Sequence, residues 1–179
     1  LEIINLIFPQ IKNISLFNKM NSFAKKNFSK VDFIFLLSLM IIDGTDNVDY
    51  FIYKFNLSKK NQKRLIFLNK FNLEKNTSPT FSEKNLNKIF YYKGKQSILD
   101  ILSYKLFNSK KIDKKFLDFI DQFRSKVLPT MPIGAKDLME KYEIPEGKNL
   151  GNKLKIIEEE WVNNNFQLTE KQINKIIRR

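Results

Sequence analysis

An all-α fold is what the sequence predicts, and three observations carry that prediction. Apolar residues recur at three- and four-residue spacing through most of the 179 residues, the period of an amphipathic helix. No stretch alternates apolar and polar residues in the manner of a half-buried strand. Breakers are scarce: of five Gly and five Pro, three of the glycines and two of the prolines sit between Met131 and Leu154.

The elements follow in order. An amphipathic run begins at Ile11, Ile14 and Leu16-Phe17 and ends near Asn27. The apolar stretch 31–42 predicts a helix buried on most sides, and it is too short to span a bilayer. Asp43-Gly44-Thr45-Asp46 breaks that helix, and residues 48–55 start the next. Ser58 is placed to cap a helix reaching Leu73. A turn at Thr77-Ser78-Pro79 precedes Ser82, the cap of a helix to about Tyr92. Gly94 separates it from a helix over 96–107. Asp113 caps a helix in which Phe116, Phe119, Ile120, Phe123 and Val127 form one apolar face, ended by Pro129 and Pro132. A short helix over 136–142, a hairpin over 143–148, a longer helix over 149–165 containing Trp161, and a last helix capped by Thr169 complete the chain. The expected architecture is a multi-helix domain with a C-terminal helix–hairpin–helix-like segment. Its division is a body-like region, 1–128, and a tail-like region, 129–179.

Composition narrows the chemistry. A hydrophobic content of 42% with 17 Phe suffices for a packed core. Without Cys or His there is no disulfide framework, no imidazole base and no His-ligated metal. No signal peptide or membrane span is visible, so a cytoplasmic protein with no membrane partner is expected. The chain opens on Leu1-Glu2 without an initiator Met, which suggests a piece of something longer.

Net charge is +13, and of 32 basic residues only Arg64, Arg124, Arg178 and Arg179 are Arg. Lys, Asn, Ile and Phe in excess are also what an A/T-rich genome encodes, so the total alone says little. Residues 51–130 hold eighteen basic residues against six acidic ones, and the flanking segments are nearly neutral. Codon bias would spread the excess evenly, so this distribution points to an anion-binding face.

Three basic clusters stand out. In 58–70, at about 100° per residue, Lys59, Lys60, Lys63, Arg64 and Lys70 fall on one side of a helix with Phe67. Leu65, Leu68 and Leu73 face away. Such a stripe suits a phosphate backbone. Tyr91-Tyr92-Lys93-Gly94-Lys95 sets two aromatics and two amines around a turn; the tyrosines stack on bases in one reading and join the core in the other. Lys110-Lys111, with Lys114-Lys115, forms the third. Two acidic runs invite less. Asp43–Asp49 fails the calcium-loop pattern and is expected to be a capped turn. Glu158-Glu159-Glu160 is expected to be a solvated face pairing with Lys153 and Lys155.

The Gly/Pro-rich stretch has its own geometry. Gly147 permits a tight turn, and the amides opening the next helix, with Lys148 and Lys153, can meet a phosphate. Gly151, in the first turn, admits close approach of a phosphate or of another helix; both readings stand.

Pro132-Ile133, Lys136-Asp137-Leu138, Gly147-Lys148-Asn149-Leu150-Gly151, Leu154 and Trp161 together resemble the C-terminal signature of bacterial class II tRNA nucleotidyltransferases, the CCA-adding enzymes and poly(A) polymerases. Leu57-Ser58-Lys59-Lys60 through Leu65, and Ile89-Phe90-Tyr91-Tyr92-Lys93-Gly94-Lys95, look like that family's body region. The order fits over most of the chain, weakly before Val48. Departures are Ala135, with Gly134 one position early, where the family has Gly, and Lys148 where it often has Pro. The resemblance implies a body and tail that grip the acceptor and T arms of tRNA. It also implies an N-terminal catalytic head and neck, the head binding Mg²⁺ and CTP or ATP, whose nucleotide loop and Asp-x-Asp pair do not occur in this sequence. No catalytic residue, metal ligand or cofactor is therefore assigned to this chain. RNA contacts are assigned to Lys59, Lys60, Lys63, Arg64, Lys93, Lys95, Lys110, Lys111, Lys136, Gly147, Lys148, Gly151 and Lys153. Two rival functions are a basic protein-interaction scaffold and a helix–hairpin–helix DNA-binding module.

Overall fold

A computed structural model describes Phe8, Ile11 and residues 17–74 and 78–178. Among these residues the chain is all-helical, with ten α-helices and no strand. They are α1 (Ser22–Asn27), α2 (Phe33–Ile41), α3 (Asn47–Lys54), α4 (Lys59–Leu73), α5 (Glu83–Lys93), α6 (Lys95–Phe107), α7 (Lys114–Ser125), α8 (Ala135–Tyr142), α9 (Lys148–Asn163) and α10 (Glu170–Ile177). Ile14 and Leu16 of the first amphipathic run, and Thr77 of the expected turn, lie outside the described residues. No helix among the described residues is long and apolar enough to cross a membrane.

Helix starts follow local chemistry. The first amides of a helix lack intrahelical partners, and short polar side chains supply them. Asn21, Asp32, Ser58, Ser82, Asp113 and Thr169 each accept a hydrogen bond from an amide two or three residues on. Ser58, Ser82, Asp113 and Thr169 are the caps expected from sequence. Gly94, at φ 84°, donates its amide to the Phe90 carbonyl and ends α5.

Two compact units emerge: Leu1–Ser78 with Lys95–Lys126, and Pro79–Gly94 with Val127–Arg179. In the first, α6 packs against α1, α4 and α7, and α2 against α3 and α4. Ile98, Ile101, Leu102, Leu106 and Phe107 of α6 are all buried, as expected of a helix with apolar residues on several faces. Phe107 makes T-shaped contacts with Phe23 and Phe35 at centroid distances of 5.9 and 5.2 Å. The helix expected in the stretch 31–42 is α2, buried on most sides through Ile34, Phe35, Leu37, Ser38, Leu39 and Ile41.

Two residues placed in the core by periodicity are not there. Leu73, the last residue of α4, is 51% exposed, and Val127 is 83% exposed. For Val127 the reason is that α7 stops at Ser125 and Lys126 turns extended, so the helical spacing no longer applies. Pro129 reinforces this by disfavouring helix at Leu128.

The second unit closes on Ile133, Leu138, Ile144, Leu150, Ile157 and Ile176, from α8, α9, α10 and their connections. Its other focus is aromatic: Tyr91 of α5 meets Trp161 edge-on at 5.4 Å, and Phe166 lies 5.1 Å from Trp161. The sequence-level division at 128/129 assigned residues 79–94 to the body. In the structure they cluster with the C-terminal segment, because α5 packs on α9, a long-range pairing that local pattern does not announce.

Candidate nucleic-acid interface

The first turns of α4 carry the clearest exposed charge. Lys59, Lys60 and Lys63 are all exposed, with no hydrogen bond or ion pair among the described residues. The first turn of α4 holds no acid. These ammonium groups therefore add to the positive end of a 15-residue helix instead of opposing it, an arrangement that costs the helix a little and raises the potential felt by an anion. Lys70, further along the stripe, lies 3.8 Å from Glu74 in an exposed pair.

Arg64 does not belong to that surface. Its guanidinium makes a two-pronged contact with Asp100, Nε to Oδ2 and Nη2 to Oδ1, the latter 2.7 Å. Its Nη1 reaches Asp32 at 2.9 Å. Only 15% of the Arg64 side chain and 4% of that of Asp100 are accessible. The reason lies in the angular position. At about 100° per residue, Arg64 sits roughly 140° from Lys59, between Phe71 and Leu68, both buried. Gln96 Nε2 also donates to Asp100 Oδ1, at 2.9 Å. Burial works against charge on Arg64, but Asp100 and then Asp32 outweigh it and hold its pKa above the ordinary value. At Asp32, burial again opposes ionisation, yet the Phe35 amide and Arg64 hold the carboxyl below its usual range. Arg64 is an internal tie in the first unit.

Two other assigned cations are engaged structurally. Lys95 Nζ donates to the Arg124 carbonyl at 2.9 Å, at the C-terminal turn of α7. Lys153 Nζ donates to the Ile177 carbonyl at 2.7 Å, at the end of α10, not to the acidic run. Glu158 of that run accepts instead from Tyr91 Oη at 2.7 Å. That bond, with burial and the Glu158 charge adding to it, pushes the Tyr91 phenol up to about 12. The tyrosine pair thus divides: Tyr91 joins the aromatic cluster, and Tyr92 is 50% exposed. Lys93, in the last turn of α5, is exposed, as are Lys110 and Lys111 in the α6–α7 loop. Lys136 is exposed and 3.7 Å from Glu140.

Between α8 and α9 lie five residues, 143–147. Glu143 takes a left-handed conformation (φ 54°) and Gly147 has φ 148°, a region closed to most side chains. No side chain caps the amides that open α9, and Lys148 beside them is exposed. Gly151 is exposed too. A Cβ built there would meet nothing within 4 Å, so its role is not the packing of one helix on another. Asp43 accepts from the Thr45 amide and hydroxyl at 3.1 and 2.6 Å and from Asn47 Nδ2 at 2.9 Å, a capped turn. Among the described residues no three carboxylates converge as metal ligands would.

Sequence reasoning missed one basic face. Lys171, Asn174, Lys175 and Arg178 of α10 and its end line a concavity of about 440 Å³. The signal was available: these four fall within roughly 100° of arc on a helix, opposite Ile173, Ile176 and Ile177, which belong to the core of the second unit. With its apolar side turned to that core, α10 leaves Lys171, Lys175 and Arg178 exposed, with Glu170 the acid in its first turn. Comparison with models of known protein families, with characterised proteins and with solved structures finds no match for this chain.

Proposed function

We propose that this chain is an RNA-binding region that grips the acceptor and T arms of tRNA, the body and tail of a CCA-adding enzyme or poly(A) polymerase. The observation that carries the reading is the set of exposed Lys59, Lys60 and Lys63, without an ion pair among the described residues, at the acid-free start of α4. Cations on a rigid helix follow the phosphates of an A-form duplex, which is recognised chiefly by backbone and 2′-hydroxyl. Lys110, Lys111 and Lys148 add exposed charge, and the α10 face adds Lys171, Lys175 and Arg178. Template-independent addition of nucleotides to the 3′ end, with Mg²⁺ and CTP or ATP, would fall to an N-terminal head outside these residues. A cytoplasmic location belongs to the same proposal.

The test compares binding of a minihelix of acceptor and T arms with binding of a DNA duplex of equal length over a range of salt. Tight, salt-dependent binding of the minihelix with weaker binding of DNA is expected. Replacing Lys59 and Lys63 by Ala should lower the slope of log K against log salt by roughly 0.7–0.9 for each phosphate no longer neutralised. Equal affinity for both duplexes would favour a DNA-binding module, and no salt-dependent binding of either would favour a protein scaffold.

A further inference from the structure

We infer that the open pocket between α3 and α4 is a slot for an unstacked nucleobase of a single-stranded RNA segment. The inference rests on the RNA-binding reading and adds recognition of a base to recognition of the backbone. The pocket measures about 840 Å³ and is lined by Tyr50, Ile52, Tyr53, Lys54, Asn56 and Gln62. Volumes of roughly 300–1,000 Å³ are those that receive small organic groups.

The lining matches what an extruded base requires. Tyr53 is 89% exposed, an aromatic face left to solvent on a helix that buries Val48 and Phe51. Such a face is a stacking platform for any base. Tyr50, one turn earlier, is held in place: Lys54 Nζ donates to its hydroxyl at 2.7 Å and lies 5.2 Å from its ring centroid. One ring is thus fixed while its neighbour is left uncovered. Around them stand two amide side chains suited to the polar edge of a base. Asn56 is exposed, in a left-handed conformation at φ 44°. Gln62 donates Nε2 to the Leu57 carbonyl at 2.7 Å, which orients its amide and leaves Oε1 as an acceptor. No carboxylate is among the six lining residues, so nothing in that lining repels a phosphate.

The pocket also adjoins the lysine stripe. Gln62 lies about 60° round α4 from Lys59 and next to Lys63 in the chain. A base in the slot therefore places its own phosphate beside ammonium groups already assigned to the backbone. Positive charge alongside an aromatic platform is the pairing that single-stranded segments use.

The experiment uses the full chain and two RNA hairpins, one blunt and one carrying a short 3′ single-stranded extension with 2-aminopurine. The wild type should bind the extended hairpin more tightly and quench 2-aminopurine. Tyr53→Ala should lower affinity for the extended hairpin about tenfold, relieve the quenching and leave blunt-hairpin affinity unchanged. Tyr53→Trp should keep wild-type behaviour. Because Tyr53 is almost fully exposed, far-UV circular dichroism should be unaltered in both variants. Equal binding of the extended hairpin by wild type and Tyr53→Ala overturns the slot and leaves the backbone reading standing. Failure of the wild type to bind either hairpin overturns both.

Discussion

Arg64 and Lys63 are adjacent in the chain, yet the guanidinium is committed to two carboxylates while the ammonium faces solvent. A planar guanidinium can satisfy Asp100 with two donors and still reach Asp32; an ammonium cannot reproduce that fork. Arg64→Ala should therefore destabilise the first unit by about 3 kcal/mol or more, because it strands a buried Asp100 carboxylate. Lys59→Ala and Lys63→Ala should stay within about 0.5 kcal/mol of wild type. Urea unfolding followed by circular dichroism measures all three, and a mild Arg64→Ala would show that Asp100 finds another partner. Asp32 adds a pH dependence. Its folded pKa lies below its unfolded one, so its contribution is complete above the unfolded value, about 4, and is lost as pH falls through the folded value. Asp32→Asn, which keeps a competent cap, should be less stable than wild type at pH 7. The gap should narrow below about pH 4.

At the scale of elements, the loop and first turn around Gly147 and Gly151 separate two uses of glycine. Gly147 sits at φ 148°, where a side chain is strained whatever the space, so Gly147→Ala should cost about 1–3 kcal/mol. Gly151 is helical with open space around it. Gly151→Ala should stabilise by about 0.5–1 kcal/mol, measured by thermal unfolding with Trp161, the sole Trp, as reporter. If RNA backbone approaches α9 at Gly151, minihelix affinity should fall in that same variant. Unchanged affinity with raised stability would remove Gly151 from the interface. Helix starts were legible because a cap is a local bond, as Ser82 and Thr169 show. The end of α7 was not: helical spacing carried the apolar face on to Val127, past the point where the backbone had turned extended.

For the whole molecule, charge is the governing asymmetry, with twelve of the thirteen net positive charges in residues 51–130. Among the described residues only a few ion pairs offset it, and apart from those of Arg64 they are exposed. Screening should relieve the repulsion more than it weakens those pairs. The melting temperature should thus rise by a few degrees between about 50 and 500 mM NaCl, as differential scanning calorimetry would record; a fall would mean that the ion pairs outweigh the repulsion. By itself the sequence determined the helical class, most helix starts and the location of the basic segment, since periodicity, capping and charge are properties of neighbouring residues. Tertiary structure alone decided which cations remain free. Arg64, Lys95 and Lys153 each meet a partner more than twenty positions away in the chain, and no local pattern encodes such a meeting. It also decided that residues 79–94 cluster with the C-terminal segment, because burial of Trp161 against Tyr91 is settled by packing across the chain and not by the spacing within either helix.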